Sequence, residues 1–233
     1  MSAVLQARGL AAGYHGHAIV EDLDVTLEPG TVTALLGPNG AGKTTTLLTL
    51  AGALKPLGGE VSFAGSSGAA RLSARANQGL GYVSEERSVF MSLTAMENLR
   101  VGRCDVTLAL ELFPELEPLL GRRAGLLSGG EQQMLTLARA LARRPKVLLA
   151  DELSLGLAPL VVERLLQAVR TAATDDGVAV LLVEQHIRKA IRIADHVLVM
   201  RRGRVVLEGS GAQLRGRVAD IEAAYMAEDA AVA

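Results

Sequence analysis

The run Gly37-Pro38-Asn39-Gly40-Ala41-Gly42-Lys43-Thr44 fits G-x-x-x-x-G-K-[ST] at every fixed position. Such a loop suits phosphate. Successive backbone N–H groups at a helix N-terminus form a positively polarised cradle, and glycines let the backbone approach an anion with no Cβ in the way. Lys43 adds a mobile cation for β- and γ-phosphates, and the Thr44 hydroxyl suits Mg²⁺. The candidate nucleotide-binding set is therefore Gly37, Pro38, Asn39, Gly40, Ala41, Gly42, Lys43, Thr44 and the following Thr45.

Lys146-Val147-Leu148-Leu149-Ala150-Asp151-Glu152 is an apolar run ending in two carboxylates, 108 residues after Lys43. A parallel strand of that kind ends beside the phosphate loop. There Asp151 would hold Mg²⁺ through its hydration shell, and Glu152 would polarise a water for in-line attack on the γ-phosphate. Alone, the pair is also what a strand followed by an acidic helix start produces. In Leu127-Ser128-Gly129-Gly130-Glu131-Gln132-Gln133, Ser128 and Glu131 have capping-box spacing, and Met134, Leu137, Ala138 and Leu141 continue an apolar helical stripe. Two glycines are poor helix formers, so their place in a first turn suggests bare N–H groups facing an anion as well as a cap.

These segments need a scaffold that brings strand ends together. The first sixty residues read as short strands and turns: Val4 to Ala7, Ala18 to Glu21, Val25 to Leu27, then the buried run Val32 to Leu36. A helix is expected from Lys43 to about Leu54, closed by Pro56 and Gly58-Gly59, followed by strands at Val61 to Phe63 and Gly81 to Val83. Between about 85 and 135 the pattern turns helical, around Thr94 to Val101 and Val106 to Phe113, with no clear strand. Strands at Val147 to Ala150, Val178 to Val183 and His196 to Met200 alternate with helices at about Gly130 to Ala142, Pro159 to Ala173 and Ile187 to Ala194. Such alternation predicts a parallel sheet. Arg202-Gly203 followed by Arg204 to Glu208 reads as a hairpin, and the tail Ala227 to Ala233 is expected to fray.

Composition narrows the classes. The 233 residues are 49% hydrophobic and 21% charged, which excludes a disordered chain and suits one domain with a subdomain. Net charge is −1, so no global field holds a nucleic-acid backbone or an anionic membrane, and phosphate binding must be local. The single cysteine, Cys104, forms no internal disulfide and fits a reducing compartment. The first residues show neither a basic leader nor an apolar stretch of signal type, and no uncharged apolar run approaches the roughly 18 residues of a membrane span. The expectation is a chain that reaches a membrane only through partners.

With the phosphate loop, the acidic strand and LSGGEQQ in this order, the chain resembles the ATP-binding cassette (ABC) ATPases over essentially its whole length. The phosphate loop is shared by many NTPases; Leu127 to Gln133 is the specific feature. The resemblance implies a P-loop NTPase core of α/β class, its parallel sheet flanked by helices, with an N-terminal antiparallel β subdomain and an inserted helical subdomain. It implies ATP and Mg²⁺ as ligands and a head-to-tail pair, homo- or heterodimeric, in which Ser128, Gly129 and Gly130 of one subunit meet the γ-phosphate held by the other's loop. By the same resemblance Tyr14, 23 residues before the loop, stacks on adenine, and His186 contacts the γ-phosphate and supports the attacking water. Tyr14 also reads as an ordinary strand aromatic. Ser154-Leu155-Gly156-Leu157 is similar to the loop that crosses between cassettes.

Two positions depart from the family pattern. Glu85 stands where most members have glutamine; a carboxylate can meet Mg²⁺ through water but cannot donate as an amide does. Leu153 replaces the common proline after the acidic pair, which alters loop stiffness more than chemistry. The stretch around Glu85, with Leu-Thr-Ala-Met-Glu-Asn-Leu, Ser-Leu-Gly-Leu-Ala-Pro and Leu-Val-Glu-Gln-His, resembles LivF-type cassettes of branched-chain amino acid importers. That likeness implies integral-membrane permease partners, a solute-binding protein acting indirectly, and a place on the cytoplasmic face of the membrane. The rival is a soluble ABC ATPase, for example in iron–sulfur assembly. His15 and His17 could share a metal but lack a third ligand nearby, Arg201-Arg202 with Arg204 is too short for a nucleic-acid site, and no N-K-x-D guanine reader exists.

Overall fold

The computed structural model describes residues 3–68 and 70–226; the tail expected to fray lies outside the described residues. In chain order the first half contains β1 (Leu5–Tyr14), β2 (His17–Leu27), β3 (Val32–Leu36), α1 (Lys43–Ala51), β4 (Gly58–Phe63), β5 (Ser66–Ser67), α2 (Leu72–Asn77) and β6 (Leu80–Val83). The second contains α3 (Ala95–Val101), α4 (Val106–Leu112), α5 (Gly129–Leu141), β7 (Val147–Asp151), α6 (Pro159–Asp176), β8 (Ala179–Glu184), α7 (Ile187–Ile193), β9 (His196–Arg201), β10 (Arg204–Ser210), α8 (Gly211–Arg215) and α9 (Val218–Met226).

Two sheets form. One is antiparallel, in the order β2-β1-β4-β5; the other runs β10-β9-β3-β8-β7-β6, parallel from β9 to β6 with β10 antiparallel at its edge. Every residue of β3, β7 and β8 is buried, as expected of parallel strands covered on both faces. Their alternation divides the interior. Leu148, Ala150, Val180 and Leu182 join a core with α3, α5 and α6, whereas Val147, Leu149, Leu181 and Val183 join one with α1 and the antiparallel sheet. The phosphate-loop helix is thus clamped between two sheets.

The chain between β6 and β7 is helical, as its pattern predicts. Thr94 caps α3 through a reciprocal box with Glu97, Asp105 caps α4, and Phe113 and Leu116 bury themselves in the same core as Leu135 of α5 and Leu148 of β7.

Several boundaries differ from the sequence expectation for local reasons. The expected strands at 18–21 and 25–27 are one strand, β2; Asp22, left-handed at φ 53° inside it, interrupts the apolar alternation and so hid its length. Helix α1 stops at Ala51, not Leu54: Gly52 at φ 82° turns the chain, and the amide of Ala53 bonds back to the Leu48 carbonyl. His15 sits exposed in the hairpin turn at φ 52° and exposed His17 begins β2. Short α2 escaped notice. It carries Arg75, only 2% exposed, whose guanidinium donates to the Thr49 and Leu50 carbonyls at the C-terminal end of α1 and to the Gly68 carbonyl.

Candidate functional site

Where β3 ends, the chain turns through Gly37–Gly42 into α1. Gly42, at φ 103°, precedes the helix, and a Cβ there would lie 2.8 Å from Val20 Cγ2. At Gly37 a Cβ would come 2.5 Å from the Met200 carbonyl oxygen. Both glycines are therefore demanded by close approach as well as by any ligand. The loop is also fastened from outside, since the Gly203 amide in the β9–β10 turn donates to the Ala41 carbonyl at 3.0 Å. The amides of Lys43, Thr44 and Thr45, in the first turn of α1, have no acceptor four residues back and give the helix its anion-facing end.

Lys43 is 5% exposed and folds over its own loop: Nζ donates to the carbonyls of Gly37 at 2.8 Å and Pro38 at 3.1 Å, and lies 3.8 Å from Glu152 Oε1. Burial lowers the lysine pKa, against the opposing pull of Glu152, Asp151 and Glu85. At the end of β7, Asp151 is buried beside the Thr44 hydroxyl, which hydrogen-bonds to it, and its Oδ1 has no partner. Burial, chiefly, together with the negative charges of Glu152 and Glu85 pushes Asp151 up to about 6. A buried carboxylate with an orphaned oxygen next to a threonine hydroxyl fits a hydrated divalent cation.

That elevated value has a stability consequence. Between about pH 4 and pH 6 the unfolded chain has released a proton that folded Asp151 retains, so this group makes folding less favourable as pH rises through that window. Asp151→Asn should accordingly stabilise the nucleotide-free protein at neutral pH and raise its thermal midpoint, while weakening the Mg²⁺ dependence of nucleotide binding. Scanning calorimetry checks the first effect; an unchanged or lower midpoint contradicts it.

Glu152 follows at φ 48°, a left-handed conformation rare outside glycine. Its amide donates to the Val183 carbonyl at 2.9 Å, and its carboxylate receives Gln185 Nε2 at 2.9 and 2.8 Å. The same Nε2 meets Asn39 Oδ1 at 2.9 Å. Asn39, Lys43, Thr44, Glu85, Glu152 and Gln185 line one cavity of about 520 Å³. Gln185 is a residue that sequence reading missed, because its partners lie far away along the chain. Glu184 was missed too: fully buried, it accepts the Ser154 amide at 3.1 Å and hydroxyl at 2.6 Å. Burial raises the Glu184 pKa despite those bonds.

Other expected site residues stand apart from this cavity. Ser128 caps α5 through the reciprocal box with Glu131, and a Cβ on Gly129 would lie 2.9 Å from the Arg87 guanidinium, one on Gly130 3.0 Å from Val161. None of the three lines the cavity of its own subunit. Tyr14, at the end of β1 and 41% exposed, is outside it, as is exposed His186 at the start of α7. Glu85 is inside.

A phosphate loop opening a helix between two sheets, with an acidic pair at the end of the parallel strand next but one, β7 beyond β8, defines a nucleotide-hydrolysing cassette. Residues 20–154 match the family described as ABC transporter. The chain is 38% identical to the high-affinity branched-chain amino acid transport ATP-binding protein BraG of Pseudomonas aeruginosa, covering 84% of this chain and 88% of the relative. It is 34% identical to the probable branched-chain amino acid transport ATP-binding protein LivF of Archaeoglobus fulgidus (91% and 94% covered) and 32% identical to the lipopolysaccharide export ATP-binding protein LptB of Escherichia coli (97% and 98%). A solved ATP-binding subunit of an ABC transporter superposes with a TM-score of 0.79 at 27% identity, covering 93% of each chain. The chain belongs to the ABC transporter family and is an ATP-hydrolysing, ATP-binding subunit of that class.

Proposed function

We propose that this subunit binds Mg²⁺·ATP in the Lys43 cavity and hydrolyses it in a head-to-tail pair of cassettes. The observation that carries the reading is the convergence of Lys43, Asp151 and Glu152 on one phosphate loop. Lys43 exchanges the carbonyls of Gly37 and Pro38 for β- and γ-phosphate oxygens, and the loop amides hold the rest of the chain of phosphates. Thr44, with Asp151 and Glu85 through water, would hold Mg²⁺, which when bound would neutralise charge on the phosphates. Glu152 takes the proton of the attacking water, with His186 assisting. Tyr14 stacks on the base. Ser128, Gly129 and Gly130 complete the partner's site, which accounts for their distance from their own cavity.

Residues 1–233 act as one cassette, with 85–135 as its helical signature subdomain. Among the described residues no helix is long and apolar enough to cross a membrane. The subunit works from the cytoplasmic face on integral-membrane permease subunits, reached through the helical segment and the Glu85 loop. Phe90 and Met91 are each 51% exposed there, with half-buried Val89 beside them, and the Phe90 ring lies under Arg139 at 5.7 Å. Crosslinking from these positions is expected to capture permease loops; crosslinks confined to other faces contradict the docking.

The likeness to BraG and LivF supports import of branched-chain amino acids or a related small solute, with a solute-binding protein acting outside the subunit's reach. The LptB likeness over nearly the whole chain favours a second reading, lipid export. Purifying the subunit from membranes with its native permeases and testing ATPase stimulation by branched-chain amino acids decides between them.

A further inference from the structure

We propose that Gln185 is a positioning residue that aims Glu152 and ties its orientation to the phosphate loop. This rests on the reading of Glu152 as the base that takes the water proton. The hydrogen-bond inventory is the argument. Nε2 carries two hydrogens and faces three acceptors: both oxygens of Glu152, at 2.9 and 2.8 Å, and Asn39 Oδ1 at 2.9 Å. One hydrogen is therefore shared across the carboxylate while the other reaches the loop. Only the nitrogen end of the amide can face a carboxylate, so the arrangement has a single sense.

Backbone conformation supplies a second observation. Glu152 sits at φ 48°, a left-handed conformation that is strained for a non-glycine residue and persists only where surroundings over-determine it. Three restraints meet there: the Val183 carbonyl on the Glu152 amide, the Lys43 ammonium at 3.8 Å, and the Gln185 amide on both carboxylate oxygens. Lysine must leave for phosphate when ATP enters, and the backbone bond does not orient the side chain. Gln185 is the restraint that stays with the carboxylate. Because Asn39 belongs to the loop that receives the phosphates, filling that loop acts on the same amide. The neighbouring Glu184 holds Ser154 in parallel, so two successive residues at the end of β8 fix the segment 152–154 at two points.

The test compares Gln185→Met, which keeps the shape and removes both donors, with Gln185→Glu, which sets a second carboxylate against Glu152. Steady-state ATPase assays of the full chain should give a kcat about tenfold lower for Q185M and about a hundredfold lower for Q185E, as misplacement of a catalytic group predicts. The KM for ATP, the Mg²⁺·ATP affinity by calorimetry and the thermal midpoint of Q185M should stay close to those of the parent. A Q185M enzyme with parental kcat overturns the proposal, as does a kcat loss matched by an equal loss of ATP affinity. Glu152→Gln is assayed alongside. If it is inactive while Q185M is parental, the positioning role fails alone; if Glu152→Gln turns over normally, the base assignment fails and takes this inference with it.

Discussion

Lys43→Ala is expected to reduce ATPase kcat/KM at least about a thousandfold and to remove measurable Mg²⁺·ATP binding in calorimetry. The buried lysine places its ammonium on the Gly37 and Pro38 carbonyls and 3.8 Å from Glu152, where the loop would receive the phosphates, and alanine carries no charge there. Alanine also strips Glu152, itself 9% exposed, of its nearby positive charge. A variant with parental turnover would show that triphosphate is held elsewhere, and the phosphate-loop assignment would fall with it. Loss of folding is not the expected route, because the long side chain bonds only to its own loop and to Glu152, and α1 remains packed through Leu47 and Leu50.

Glu152→Gln should separate binding from chemistry. The amide is nearly isosteric and retains an oxygen for Gln185, yet it cannot accept the proton of the attacking water, so turnover should fall at least about a hundredfold. Binding should survive. With hydrolysis blocked, ATP should hold two subunits together, so size-exclusion chromatography should show a dimer with ATP and a monomer without it. Turnover at the parental rate removes Glu152 as the base; a variant that neither hydrolyses nor dimerises assigns it a binding role instead.

How much of this was readable in the sequence follows from how far apart the interacting residues lie along the chain. The phosphate loop, the capped start of α5 and the strand ending at Asp151 are each contiguous, so a few adjacent residue types reveal both conformation and chemistry. The parallel order was legible because Val147 to Asp151 and Ala179 to Glu184 are unbroken apolar runs ending in carboxylates. Gln185 was not legible, since its bonds join residues 33 and 146 positions away, and only the β3–β8–β7 register brings them together. Arg75 was hidden for another reason: arginine is ordinarily a surface residue, and nothing local announces that α2 buries one against carbonyls. Tyr14 and His186 illustrate another case: their roles were implied by the family resemblance alone, and both lie outside the cavity.

The guanidinium of Arg75 has an electrical meaning for the opposite end of α1. An isolated helix presents a dipole, whose pull on an anion decays quickly because the tail carboxyl-side partial charge partly cancels the head. In this chain the tail carbonyls of Thr49 and Leu50 are covered by a fixed positive charge, and no carboxylate pairs with it among the described ion pairs. Across about 13 Å of buried helix, what a phosphate meets is then closer to an uncompensated pole, whose attraction reaches further into solvent.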